Sequence, residues 1–166
     1  MRNIAGAGLL AALLLVAMTA MTGCGDNSVT NTTDEGGHLE AFGVRVLDGE
    51  TQLAEADGTD VTGSLTATVG DTSEWYNVWF MDDAGEWFNP VLADSVEEVD
   101  IAHTLIVRFT EPKADAIVGN YADGTKWRFK LTGLEAGNTT VRFVVTHHEH
   151  DDYVSPEIPV QIEAAQ

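Results

Sequence analysis

KWRFKLTGLEAGNTTVRFVVTH, residues 126–147, decides the fold. Two runs, KWRFKL (126–131) and TTVRFVVTH (139–147), alternate in polarity on either side of a turn from Gly133 to Asn138. A period of two is that of a strand, whose successive side chains point to opposite faces. Gly133 and Gly137 are residues able to take positive φ where one strand turns over into the next. Working outward, the same alternation recurs. HLEAFGVRVL (38–47) reads as a first strand, followed by the turn-rich DGETQLAEADGTD; VTGSLTATV (61–69) puts Leu65, Ala67 and Val69 on one face and is closed by Gly70-Asp71. WYNVWFM (75–81) is dense in aromatics, and Asp83-Ala84-Gly85 makes a hairpin turn towards Glu86-Trp87-Phe88. In VDIAHTLIVRF (99–109), Val99, Ile101, His103, Leu105, Val107 and Phe109 share one face. EIPVQI (157–162) closes the chain as a strand, expected at a sheet edge because Pro159 cannot donate to a ladder. About seven short strands with regular turn signals, and no long helical period, predict an all-β two-sheet sandwich. A small closed barrel shares this periodicity.

Leu131-Thr132-Gly133-Leu134-Glu135-Ala136-Gly137-Asn138-Thr139-Thr140-Val141 resembles the corner of bacterial immunoglobulin-like domains. That resemblance implies an immunoglobulin-like antiparallel β-sandwich and carries no function of its own.

The start of the chain is an address. Residues 1–23 have one basic residue, Arg2, an apolar run from Ile4 to about Met21, and a small-residue exit, the layout of a secretory signal peptide. Met21-Thr22-Gly23-Cys24 resembles the lipobox of bacterial lipoproteins, in which the cysteine is lipidated and becomes the first residue after cleavage. The resemblance implies a membrane anchor at Cys24 and an extracytoplasmic domain. Gly25 rather than Asp after the cysteine favours the outer membrane where the host has two membranes, facing either the periplasm or the surface. With one cysteine in the chain, no disulfide can form within it. From Cys24 to residue 37, the stretch is rich in Gly, Asn, Asp, Ser and Thr and reads as a flexible linker, with an end-to-end distance of about 20 Å. Residues 38–166 are long enough for one domain with a real core.

Eight Lys and Arg stand against 27 Asp and Glu, for a formal net charge of -19. Such a surface repels a polymer of phosphates, which excludes nucleic acid as a partner, and draws cations towards it.

Three of the five histidines and three acids occupy residues 147–152 in THHEHDDYVSP (146–156). Together with His38-Leu39-Glu40 and the glycine corner, the stretch His147, His150, Asp152, Tyr153, Ser155, Pro156, Ile158, Pro159, Val160 resembles a group of uncharacterised bacterial lipoproteins. An immunoglobulin-like topology starts its first strand at the end of the sandwich where its last hairpin turns, so residue 38 and residues 147–152 are expected to be neighbours. On a strand His38 and Glu40 point to one face about 6.6 Å apart. His147 and His150 can converge across a tight turn, with Asp152 as a further ligand or as the group that orients an imidazole. The predicted metal site is therefore His38, Glu40, His147, His150 and Asp152. Histidine and carboxylate without thiolate suit a divalent transition metal, Zn or Cu foremost, with Ni as a further fit. His103, alone on an apolar face, reads as a packed histidine and is left out.

The aromatics Trp75, Tyr76, Trp79, Trp87, Phe88 and Trp127 are expected mostly in the core, with a sugar-stacking platform as their other use. No catalytic constellation stands out. Ser155 directly precedes Pro156 without a nucleophile motif, and no cleft is evident, so the chain is not read as an enzyme. The sequence thus predicts a lipid-anchored protein that captures or hands over a divalent metal, with a metal-uptake system or a surface protein as partner. The alternative is a non-catalytic adhesion or assembly module that binds protein or glycan.

Overall fold

The computed structural model describes residues 39–89, 103–119, 125–147 and 150–166. The signal peptide, Cys24, the linker and His38 lie outside the described residues. Twelve strands are described: β1 (Gly43–Asp48), β2 (Thr51–Asp57), β3 (Asp60–Gly63), β4 (Leu65–Thr68), β5 (Tyr76–Met81), β6 (Trp87–Phe88), β7 (His103–Phe109), β8 (Ala114–Val118), β9 (Arg128–Gly133), β10 (Gly137–His147), β11 (His150–Val154) and β12 (Ile158–Glu163). They form two sheets. Sheet A runs β3-β2-β1-β5-β9-β8, with β6 also paired to β5; sheet B runs β11-β10-β12-β4, with β7 on the other side of β10. The fold is an all-β sandwich, and one core joins both inner faces: Val44, Val46, Val78, Phe80, Phe129 and Leu131 from sheet A meet Leu65, Val141, Phe143, Val145, Ile158 and Ile162 from sheet B.

Three expectations are corrected. The stretch 48–60 holds a strand, β2, whose inner face is made of the buried Ala54 and Ala56; alanine is a weak strand signal, so the charged outer residues dominate its sequence pattern. The run 61–69 is two strands in different sheets, β3 in A and β4 in B. The chain crosses over at Gly63, which has φ of 74° and leaves no room for a Cβ, since one would stand 2.1 Å from the Leu53 carbonyl oxygen. The last strand is not an edge: β12 lies between β10 and β4. Its ladder with β4 is parallel and starts at Val160, one residue past Pro159, so sheet B is mixed rather than purely antiparallel.

β11 and β12 lie along the same side of β10, with a break between them. β12 pairs with Gly137–Val141 of β10 and β11 with Val144–His147. Pro156 interrupts the run, and Ser155 repairs it: its backbone N–H donates to the Phe143 carbonyl (2.9 Å), while its Oγ accepts the Phe143 N–H (2.9 Å) and donates to the Pro156 carbonyl (2.8 Å). Ser155 is buried and structural. The hairpin at Asp82 to Glu86 forms where predicted, with the Asp82 carboxylate accepting the N–H groups of Ala84 (2.9 Å) and Glu86 (2.8 Å).

Candidate metal centre

The alternation that builds the core also delivers two histidines to its rim. On β7 Leu105 points inward, and on β10 so do Phe143 and Val145; one step further along the same faces come His103 and His147. The register sets His103 directly opposite His147 on adjacent antiparallel strands. Their rings stack, centroids 4.7 Å apart and planes 17° from parallel. His103 is buried at 2% exposure, whereas His147 is half-buried.

The third member arrives through an irregularity. On β11 Asp151 opposes Thr146 and Tyr153 opposes Val145, so Asp152 is the extra residue of a β-bulge. Asp151 faces outward to Arg108, with Nη1 to Oδ2 at 2.9 Å, and this hydrogen-bonded pair holds the Arg108 guanidinium above the usual arginine range. Tyr153 faces inward against Phe80, ring centroids 5.9 Å apart. Between them Asp152 buries its carboxylate to 2% side-chain exposure, with Oδ2 3.2 Å from His103 Nε2. The same oxygen accepts the backbone N–H of Leu39 at 3.1 Å, across 113 positions of sequence. One ligand atom from each of His103, His147 and Asp152 lies within 4.8 Å of the others.

The structure places the predicted residues unequally. His147 and Asp152 belong to this group. His150 opposes His147 across β10 and β11 but is exposed and stands outside the group, as does the exposed Glu40. His38, His148 and Glu149 are outside the described residues. Leu39, the residue after His38, meets Asp152, which is the juxtaposition of chain start and last hairpin that the topology called for. Setting His103 aside is corrected: it is packed, as expected, but it packs with its Nε2 against a carboxylate and its ring on another imidazole. Its inward face was legible in the alternation. The register that sets it opposite His147 was not, because pairing partners 44 positions apart leave no mark in a single sequence.

The donor set fits a divalent transition metal. A tetrahedral ion with bonds of about 2.0–2.2 Å holds its ligand atoms roughly 3.4 Å apart. The His103–Asp152 pair is already near that spacing at 3.2 Å. Stacked imidazoles send their in-plane lone pairs along nearly parallel lines, so one ring must turn before both nitrogens meet one ion. His147, half-buried at the rim, is the more exposed of the two rings. Three protein ligands leave a fourth position for water or a partner's donor.

No family model and no curated protein matches the chain. Among solved structures it is similar to domains 4 and 5 of the S-layer protein SbsC, with a TM-score of 0.38 and 16% identity over 62% of this chain and 49% of that one. The chain therefore spans about half of that structure.

Next to the site, Tyr153 is buried, and its hydroxyl has no hydrogen-bond partner among the described residues. Burial, and secondarily the charge of Asp57, hold its phenol well above the usual tyrosine range. The ring thus serves as packing beneath the bulge, not as an ionised ligand.

Proposed function

We propose that this chain is a lipid-anchored extracytoplasmic protein that binds a divalent transition metal, Zn or Cu foremost, through His103, His147 and Asp152, and captures the ion or hands it over to a partner. The observation that supports this reading is the convergence of three metal-ligating side chains from three strands within 4.8 Å, with His103 and Asp152 almost fully withdrawn from solvent. Asp152 is held by Leu39 and so is oriented before any ion arrives. One half-buried ligand and a fourth position without a protein donor in the group suit exchange better than permanent burial, which favours capture or hand-over over a closed structural site. The net charge of -19 raises the cation concentration around the domain. Anchoring at Cys24 rests on the sequence of residues 1–24 and would keep the site near a membrane.

Calorimetric titration with Zn²⁺ and Cu²⁺ tests the reading. One equivalent binds with a dissociation constant of about 10 μM or tighter, and affinity falls as the imidazoles protonate on acidification. No binding, or binding of equal strength in a His103→Ala/His147→Ala variant whose fold is intact, overturns it. A His38→Ala variant measures in the same assay whether that residue contributes.

A further inference from the structure

The core takes only part of the aromatic set. Trp127 is fully buried, and Tyr76 and Phe88 pack against the core, but Trp75, Trp79 and Trp87 are half-buried and belong to the opposite, outer face of sheet A. Alternation along the three central strands β1, β5 and β9 turns Arg45, Trp79, Arg128 and Lys130 to that face, and none of its outward residues on those strands is an acid. In a chain with 27 acids and eight cations this is an uncommon stretch of surface.

What surrounds these cations differs from what surrounds the others. Arg108, Lys113 and Arg142 each pair with a carboxylate, at 2.9, 3.0 and 3.0 Å. Among the described residues Arg45, Arg128 and Lys130 make no ion pair. Instead, the Arg45 guanidinium is held between the rings of Trp79 and Trp87, at 5.1 and 4.7 Å, and Lys130 Nζ lies over Trp75 at 5.3 Å. An indole holds a cation in place without neutralising it. Across the ladder Glu55 on β2 opposes Arg45 and its charge acts on the guanidinium, but it does not reach Arg45 as an ion pair.

We infer that the outer face of sheet A binds an acidic sugar chain, with carboxylated sugars meeting Arg45, Arg128 and Lys130 and their flat C–H faces resting on Trp75, Trp79 and Trp87. The charge complementarity is local: three positive charges, none in an ion pair among the described residues, spread over strands about 4.8 Å apart. A nucleic acid duplex, with one charge per ~1.7 Å, meets the strong repulsion of the remaining surface at every position. A uronate chain carries its charges on rings, spaced more widely, and offers the apolar ring faces that indoles require. The site is independent of the His103–His147–Asp152 group, which lies on the inner face of the other sheet.

The test is titration of the protein with hexagalacturonate at low salt in EDTA, followed by calorimetry and tryptophan emission. Binding with a dissociation constant of about 0.1–1 mM is expected, with a shift in emission. An Arg128→Glu/Lys130→Glu variant, changed only at two surface positions and checked for an unaltered thermal midpoint, binds at least ~10-fold more weakly. A neutral glucan hexamer binds at least ~10-fold more weakly to the unaltered protein. Absence of binding, equal binding of the neutral sugar, or unchanged affinity in the double variant overturns the inference. Hexaglutamate binding as tightly as the sugar acid also overturns it, in favour of an acidic protein partner.

Discussion

His147→Ala is the substitution that separates a metal ligand from a packing residue, because His147 is the least buried member of the group. It is half-buried at the end of β10 and contributes a ring stack on His103. Losing that stack costs about 1 kcal/mol, which for a domain of this size lowers the melting midpoint by about 4 °C. Zinc at a hundred times its dissociation constant stabilises the unaltered protein by about 2.7 kcal/mol, a rise of roughly 10 °C. If removal of one ligand in three weakens zinc about 100-fold, the same zinc concentration equals the variant's dissociation constant. It then adds only about 0.4 kcal/mol, a rise under ~2 °C. Differential scanning calorimetry with and without zinc, on both proteins, reads all four midpoints. A zinc-induced rise of equal size in both proteins refutes the assignment of His147, and no rise in the unaltered protein refutes the site. A metal-free loss above ~3 kcal/mol refutes the account of His147 as a lightly packed rim residue.

Further outcomes follow from the neighbours of the site. Asp152→Ala strips a buried carboxylate that accepts the Leu39 N–H and costs about 1.5–3 kcal/mol in chemical denaturation, while Asp151→Ala, in an exposed pair with Arg108, costs less than ~1 kcal/mol; similar losses in the two would contradict the bulge register. Tyr153→Phe removes a buried hydroxyl that has no partner among the described residues and leaves stability at neutral pH within ~1 kcal/mol. Since the folded phenol lies above its unfolded range, the unfolded chain releases that proton first, so stability falls as pH rises beyond about 10; the Phe variant lacks this alkaline decline, as urea titrations across that range would register. Ser155→Ala leaves the Phe143 N–H without its side-chain acceptor and costs about 1–3 kcal/mol by the same measurement, an effect that stays absent if Pro156 alone sets the strand break.

The parts of the fold that were legible in the sequence are those in which large side chains alternate. Leu65, Ala67 and Val69 do share a face, and the aromatic run 75–81 enters the central strand of sheet A. β2 was hidden because its inner residues are alanines, and β8 because Ala114 and Ala116 give its core face the same weak signal. Sheet membership was hidden for a different reason: the crossover at Gly63 depends on how closely the Leu53 backbone passes, which is tertiary information. The site divides along the same line. His147 and Asp152 were drawn out by their density with other polar residues near one turn. His103 was passed over because its partners arrive from β10 and β11, and only the ladder between β7 and β10 reveals them.

The bulge in β11 explains why two adjacent acids have opposite fates. In an unbroken strand Asp151 and Tyr153 would share one face and Asp152 the other, so an inward Tyr153 would carry Asp151 into the core and leave Asp152 in solvent. Inserting one residue between the partners of Val145 and Thr146 lets Tyr153 stay under Phe80 while Asp151 turns out to Arg108, and Asp152 is redirected to His103. The insertion would leave a buried carboxylate without compensation unless a donor met it, and the Leu39 N–H does so at 3.1 Å, while His103 Nε2 stands 3.2 Å from the same oxygen. The carboxylate that accepts the Leu39 N–H is also the one that belongs to the candidate metal group. Loading the site therefore acts on the contact that ties the first described residue of the domain to its last hairpin, so metal occupancy and the anchoring of Leu39 should rise and fall together or in opposition, never independently. Hydrogen exchange at the Leu39 amide, measured with and without zinc, reads that coupling directly: a rate unchanged by saturating metal would show that Asp152 Oδ2 is not a ligand.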